Sequence, residues 1–537
     1  MSLAIALAGT GAVAAAAPGA IAAPSIEYSQ LAPMLVVFSA AVIGVLVEAF
    51  VPRELRRAIH LLLTFGALVA AFVWTCVIAA SSTIFAKGSA GHVAAMGAVA
   101  VDRPTLFIQG TILVLAAVSV LLIADASHDV SSFAGQAAAV PGSTEERAGL
   151  LAGLVHTEIY PLTLFAVGGM LLFPAANDLL TMFVALETLS LPLYLLCGLA
   201  RRRRLLSAEA AMKYFLLGAF SSAFFLFGIA MLYGYSGSVS LASIASEAST
   251  GAGSDTLLFA GIGLTGVGLL FKIGAVPFQS WKPDVYQGAP TPITALMASC
   301  TVVSAFGALI RVFYVAFGTL TWDWRPAMWV VAILTMVAGA VIAITQTDVK
   351  RLLAYSSIAH AGFILTAVIS ASVQGLSSSL FYLATYGLST IGAFAVITLV
   401  RDPGGEADHL SRWAGLGKRS PLVAGLFALF LITFAGIPLT SGFMGKFAVF
   451  QAAVNGGATP LVIVGVVSSA IAAFFYVRVI VLMFFSEPVP DGPVVAVPSV
   501  FTGTAVALGA LSAVVLGIFP WPVLELASRA ASQLFVR

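Results

Sequence analysis

The chain has 537 residues, 60% hydrophobic and only 9% charged, where a soluble domain carries roughly 25% charged residues. So few charges cannot cover a water-exposed surface, which leaves a polytopic membrane protein. A net charge of +2 excludes the broad basic field of a nucleic-acid binder, and no nucleic-acid partner is expected.

The opening stretch, MSLAIALAGTGAVAAAAPGAIAAP, is Ala-rich but has no Lys or Arg in its first turn. A cleaved signal peptide needs that basic region, so the stretch reads as a retained extension. A spanning helix takes about 20 apolar residues. Runs of this kind fall at 31–50, 57–80, 104–124, 158–176, 178–199, 209–235, 256–279, 292–318, 326–346, 352–371, 376–400, 421–452, 459–485 and 499–520, fourteen in all. They lack the alternation of barrel strands, and backbone polar groups in lipid must pair internally. The expected fold class is therefore an all-α polytopic membrane bundle. Cys76, Cys197 and Cys300 lie far apart inside apolar runs, with no CxxC pair to hold zinc or an iron–sulfur cluster. GIGLTG (Gly261, Gly263, Gly266) fits GxGxxG but sits inside a span with no strand before it, so helix packing explains it.

Basic residues set the orientation. With the N-terminus outside, inside loops hold Arg53, Arg56, Arg57, Arg147, Arg201 to Arg204, Lys282, Lys350, Arg351, Arg401, Arg412, Lys418 and Arg419, fifteen in total. Outside loops hold five: Lys87, Arg103, Arg325, Arg529 and Arg537. Both termini are expected on the outer face. The inside loops 126–157 and 401–420 are expected contact surfaces for neighbours.

Ionisable groups at membrane depth cost at least ~2.5–3.5 kcal/mol each on insertion scales, so those that persist are functional candidates. Glu187 falls mid-span in TMFVALETLSLPLYLLCG, and His360 in LLAYSSIAHAGFILT. Lys213, Lys272, Arg311, Lys446 and Arg478 also fall within spans. Arg311 and Arg478, nearer helix ends, are expected to snorkel to the interface. For His360 the bland alternative is a neutral ring held by a hydroxyl, for Lys213 snorkelling to the interface, and for Glu187, Lys272 and Lys446 a structural ion pair. Burial disfavours a charged side chain, so a lysine in oil exchanges protons near neutral pH, and a nearby carboxylate tunes it. Glu187 and Lys213 lie on consecutive spans and are expected to face each other as such a switch.

Two spans should be interrupted beside a lysine. Pro277 follows Lys272, and Gly436, Pro438 and Gly442 precede Lys446. Proline removes a backbone hydrogen bond, and irregular backbone at membrane depth survives only against protein or a hydrated cavity. The broken spans are the seventh and twelfth; Glu187 and His360 lie on the fifth and tenth. An offset of five spans reverses direction through the membrane, as inverted repeats do. The expected division is 1–157 for the extension and first three helices, 158–318 and 326–485 for the two repeats, and 499–537 for the last helix and tail.

At these residues the sequence resembles a known family. LETLSLPLYLL, AEAAMKYFLLGAFSSAFFLFG, FKIGAVPFQSWKPDVYQGAPTPI, VKRLLAYSSIAHAGF and AGIPLTSGFMGKF are similar to the antiporter-like membrane subunits of bacterial respiratory complex I, the NADH-quinone oxidoreductase. WKPDVYQGAP resembles the N-type branch rather than the L or M types. The resemblance implies a proton-translocating module of about fourteen helices in a bacterial cell membrane. It places proton transfer on Glu187, Lys213, Lys272, His360 and Lys446. It implies neighbours of the M, K, J and A types, with NADH, FMN, iron–sulfur clusters and quinone in partner subunits and no cofactor in this chain. Val302 stands where the family pattern has a lysine on the eighth helix, which leaves water, Ser304, other hydroxyls or His360 to bridge the path. A subunit of the related sodium–proton antiporters and a non-pumping scaffold are the alternatives.

Overall fold

The computed structural model describes residues 26–536 except 82–83, 86–88, 126–131, 134–142, 146–147, 149–155, 252 and 404. The Ala-rich start, most of the 126–157 segment, Lys87, Arg147 and Arg537 lie outside the described residues.

Helices α1 (Tyr28–Phe50), α2 (Arg53–Ala79) and α3 (Arg103–Ala124) come first. Then follow α4 (Ile159–Leu172), α5 (Leu179–Cys197), α6 (Arg204–Ser236), the short α7 (Leu241–Thr250), α8 (Asp255–Ile273), α9 (Trp281–Gly288) and α10 (Thr291–Ala316). The second half holds α11 (Thr321–Ile344), α12 (Val349–Ile369), α13 (Val373–Leu399), the single turn α14 (Leu416–Arg419), α15 (Pro421–Ala435), α16 (Ser441–Asn455), α17 (Thr459–Phe485), α18 (Val500–Ile518) and α19 (Trp521–Ala531). Among the described residues twelve helices are long and apolar enough to cross a membrane, and Ile159–Ala175 and Pro421–Ala435 are shorter apolar helices. Every one of the fourteen expected segments carries helix.

Among the described residues strand is confined to connections, where backbone need not pair within one segment. β1 (Gly91–Ala94) pairs antiparallel with β2 (Val99–Asp102), Gly91 opposite Asp102. A three-stranded sheet places β3 (Val400–Asp402) between β4 (Gly405–Glu406) and β5 (Val494–Val495).

Aspartates start three of the spans. Asp102 accepts from the Thr105 backbone N–H at 3.0 Å, Asp178 from that of Thr181 at 2.8 Å, and Asp348 from Lys350 and Arg351 at 2.9 and 3.0 Å. Each satisfies an otherwise orphaned donor of the first turn. The centre of the bundle is α10, α12 and α13, whose apolar windows are 100%, 94% and 89% buried, against 33% for α2 and α17 and 28% for α18. In a bilayer the outer helices turn apolar faces to lipid, while these three carry buried polar groups such as Ser304, His360 and Thr385 that lipid would not accept, so they fill the interior.

The seventh and twelfth spans are broken, and glycine rather than proline stops each helix. α8 ends at Gly274 (φ +79°) and α15 at Gly436 (φ +79°). Only glycine takes this left-handed conformation without strain, which closes a helix C-terminus. Pro277 and Pro438 lie within the links that follow.

Candidate functional site

The break in the seventh span leaves Lys272 on the last turn of α8, 3% exposed. Its Nζ donates to Ser190 Oγ at 2.8 Å and Tyr214 Oη at 3.0 Å, and lies 5.1 and 6.0 Å over the Tyr214 and Tyr194 rings. Tyr214 stacks on Trp281, centroids 4.7 Å apart. Glu187 is the carboxylate within electrostatic reach of Lys272. It sits one turn before Ser190 on α5, so both point along one helix face, and its Oε1 is buried without a hydrogen bond.

Lys446, 5% exposed, lies on α16 and reaches back across the other break. Its Nζ donates to the Phe434 and Ala435 carbonyls, both at 2.9 Å, and to Ser469 Oγ at 2.8 Å. These carbonyls are freed because α15 stops there. An ammonium group on a helix C-terminus also meets the favourable end of its dipole.

His360 is 2% exposed on α12. Its Nδ1 is hydrogen bonded to Tyr382 Oη at 2.6 Å and its Nε2 to Tyr476 Oη at 3.3 Å, and Tyr386 stacks on the ring at 4.7 Å. Tyr476 in turn bonds Ser356. Both ring nitrogens thus have hydroxyl partners, the geometry of a proton acceptor that can hand on what it takes. A cavity of about 10 Å³, lined by His360, Tyr382, Tyr386, Thr433 and Ser441 among others, has room for one water.

Three expectations are corrected. Lys213 is 41% exposed and does not face Glu187; it pairs with Glu209 at 2.6 Å and Asp284 at 2.7 Å. Asp284 also binds Arg351 at 2.5 Å, so one carboxylate of WKPDVYQGAP joins the sixth span to the tenth. Arg311 does not snorkel: it is 0% exposed, bonded to Asp102 Oδ2 at 2.7 Å and to the Pro174 carbonyl at 2.6 Å. Lys282 and Lys350, counted above among loop charges, are buried at 0% and 4%. Arg478 is exposed, with Nη1 on the Ile344 carbonyl at 2.8 Å.

Sequence reading missed the buried cluster at the start of α12 where Lys350 lies 3.4 Å from Glu406 and 3.9 Å from Asp408. Arg203 binds Asp408, and Arg401 lies 3.8 Å from Glu406. Burial opposes the Glu406 charge, but Lys350 and Arg401 outweigh it and hold the carboxyl below its usual range. Burial pushes Asp408 up to about 6, against the pull of Lys350 and with the push of Glu406. The folded value exceeds the free one, so the protonated form is favoured. Its stability contribution is complete below about pH 4 and is lost as pH rises through 6. Asp408→Asn is expected to remove this fall, flattening the thermal midpoint between about pH 5 and 7 by an amount on the order of 1 kcal/mol. Parallel curves for variant and native protein would refute the assignment. Among the described residues no group of three or more His, Cys, Asp or Glu side chains is placed to hold a metal ion.

Residues 176–472 match the family model described as NADH:quinone oxidoreductase/Mrp antiporter, transmembrane. NADH-quinone oxidoreductase subunit N of Rhodococcus opacus is 63% identical over 532 residues, covering 95% of this chain and 97% of the relative. The subunit N of Mycobacterium tuberculosis is 57% identical over 95% of this chain and 99% of its own length. A chain of respiratory complex I from Thermus thermophilus superposes with a TM-score of 0.72 at 32% identity, covering 92% of this chain and 99% of that one. The Mrp complex from Dietzia contains a chain of the same fold, TM-score 0.78 at 21% identity.

Proposed function

The chain belongs to the subunit N family of NADH-quinone oxidoreductase, and from that membership we propose that it carries protons through Glu187, Lys213, Lys272, His360 and Lys446 as an antiporter-like unit of the membrane arm. The observation that carries this reading is the pair of lysines, Lys272 and Lys446, buried to 3% and 5% exposure where the seventh and twelfth spans break. Neither has a carboxylate within ion-pair distance among the described residues. A lysine kept in oil without one is placed for exchange rather than for strength.

An inverted repeat over 158–318 and 326–485 fits the local architecture. Asp178 caps α5 and bridges to Ser240; Asp348 caps α12 and bridges to His409. Gly169 meets the Leu189 backbone and Gly339 the Ala359 backbone, each so closely that a Cβ would sit 2.5 Å from the facing nitrogen. Asp178 and Asp348, Gly169 and Gly339, and Leu189 and Ala359 are each separated by 170 positions, and Ser240 and His409 by 169. On this reading each repeat contributes a half-channel opening to an opposite face of the bacterial cell membrane, with both termini on the outer face.

Partner subunits of the M, K, J and A types would border the chain. NADH, FMN, iron–sulfur clusters and quinone belong to the redox parts of the assembly, which must supply the driving energy. Moving one proton against 100 mV takes about 2.3 kcal/mol. Lys446→Met in the intact complex tests the reading: NADH-driven proton uptake into inverted vesicles should fall at least about tenfold, with assembly and NADH oxidation by an artificial acceptor retained. Native pumping by that variant and by Lys272→Met would make the chain a scaffold.

A further inference from the structure

Lys282 follows Trp281 at the start of α9 and is fully buried. Its Nζ donates to the Ile273 carbonyl at 3.1 Å and lies 5.6 Å over the Tyr286 ring. Among the described residues no carboxylate comes within ion-pair distance of it. A lysine buried for structure alone would be paired, or would reach out to water along its stem.

The break in the other half is built the same way. Lys282 folds back over the end of α8 as Lys446 does over the end of α15. A Cβ on Gly274 would lie 2.7 Å from Lys282 Cδ, and one on Gly436 would lie 2.8 Å from Lys446 Cδ. The twin of Lys446 is therefore Lys282. Lys272, two residues before Gly274, corresponds to Phe434, which packs on the His360 ring at 5.7 Å.

Lys282 also stands between the two half-sites. On one side, its acceptor Ile273 is the chain neighbour of Lys272, and Trp281 stacks on the Tyr214 that binds Lys272. On the other side, the Tyr286 hydroxyl lies beside Ser357, and Ser357 lies beside Tyr386, the ring stacked on His360. Tyr286 Oη, Ser357 Oγ and Thr390 Oγ1 are buried without a well-directed hydrogen bond. Buried hydroxyls left open in this way are where water enters. His360 feels the charge of both Lys282 and Lys446. On the eighth helix Val302 is apolar and buried, Ser304 is committed to the Met170 carbonyl at 2.8 Å, and the open hydroxyl of Thr301 can pass a proton but cannot hold one as a lysine does.

We propose that Lys282 is a proton-carrying residue that links the Lys272 half-site to His360. A proton leaves the Lys282 ammonium for the hydroxyl and water chain at Tyr286 and Ser357 and arrives on the His360 ring. Lys282, left neutral, is reloaded from the ammonium of Lys272. One proton moves and no bond between heavy atoms changes. The inference rests on the pumping reading above.

The test uses the intact complex in inverted membrane vesicles, with NADH-driven proton uptake and its solvent deuterium isotope effect as readouts. Lys282→Met is expected to cut uptake about tenfold or more, and Lys282→Arg, which keeps the charge but does not release a proton, to leave it equally low. Tyr286→Phe, which removes only a hydroxyl, should slow uptake severalfold and raise the isotope effect. Lys272→Met is the control. Lost uptake in Lys272→Met with native uptake in Lys282→Met overturns this inference and leaves the pumping reading standing. Native uptake in both overturns both. If Lys282→Met does not assemble, Tyr286→Phe decides: unchanged uptake with an unchanged isotope effect overturns the inference.

Discussion

Lys272→Met is expected to abolish most NADH-driven proton uptake, by about tenfold or more, while the complex still assembles. Methionine keeps the length and apolar character of the lysine stem, so the packing around Tyr194 and Tyr214 survives. Ser190 Oγ retains its bond to the Leu186 carbonyl at 2.5 Å, and Tyr214 Oη loses its Lys272 donor. Losing the two hydrogen bonds that Lys272 donates costs about 2 kcal/mol, too little to unfold a bundle of this size. What disappears is the exchangeable proton. Lys272→Arg separates charge from exchange: the guanidinium stays protonated in any protein environment. If the site needs only a fixed positive charge, arginine restores uptake. If the group must release its proton, arginine fails as methionine does, and that is the expected result. Native uptake in Lys272→Met would remove the central residue from the path.

The elements that the sequence announces are those set by local chemistry. Apolar length marks the spans, and Pro277 and Gly436 mark where two of them break, although the residue that stops the seventh is Gly274, which the proline reading passed over. Lys272, Lys446 and His360 fall in stretches too apolar for any loop. Long-range pairing was not legible. Beside its local partner Glu209, Lys213 binds Asp284, 71 positions on, and Arg311 binds Asp102, 209 positions back. No local pattern carries such separations. Lys282 misled for a different reason. Trp-Lys-Pro-Asp has the charge and proline of an interfacial turn, and its burial arises only because α9 folds back beneath the end of α8. The glutamate–lysine switch failed likewise, since consecutive spans can present their charged faces in different directions. Glu187 lies within electrostatic reach of Lys272, two spans away in the chain, while Lys213 turns toward Glu209 and Asp284.

Arg311→Met is the substitution expected to damage the scaffold most, by about 3–5 kcal/mol, because it strands one partner of a fully buried ion pair. Arg311 and Asp102 are both 0% exposed. Arg311 ties α10 to the start of α3 through Asp102 and Thr105, and to the end of the fourth span through the Pro174 carbonyl. The same aspartate accepts from the Val536 N–H at 3.1 Å, and the guanidinium lies 4.5 Å over the Phe535 ring, so the C-terminal tail docks on this pair. Removing the arginine leaves Asp102 charged and dry, with the Thr105 donors and the Val536 N–H as compensation. The double variant Arg311→Met with Asp102→Asn removes both charges and keeps a side-chain oxygen at the cap, so it should recover a large share of the loss. Thermal midpoints of the detergent-solubilised complex, read by native gel, give the comparison. In this series pumping and assembly should fall together, since the pair holds α10 in place and touches none of the proton-carrying groups. The lysine variants should instead lose pumping with assembly intact. An Arg311→Met protein as stable as the native one would show that the pair adds nothing net to holding the central helix.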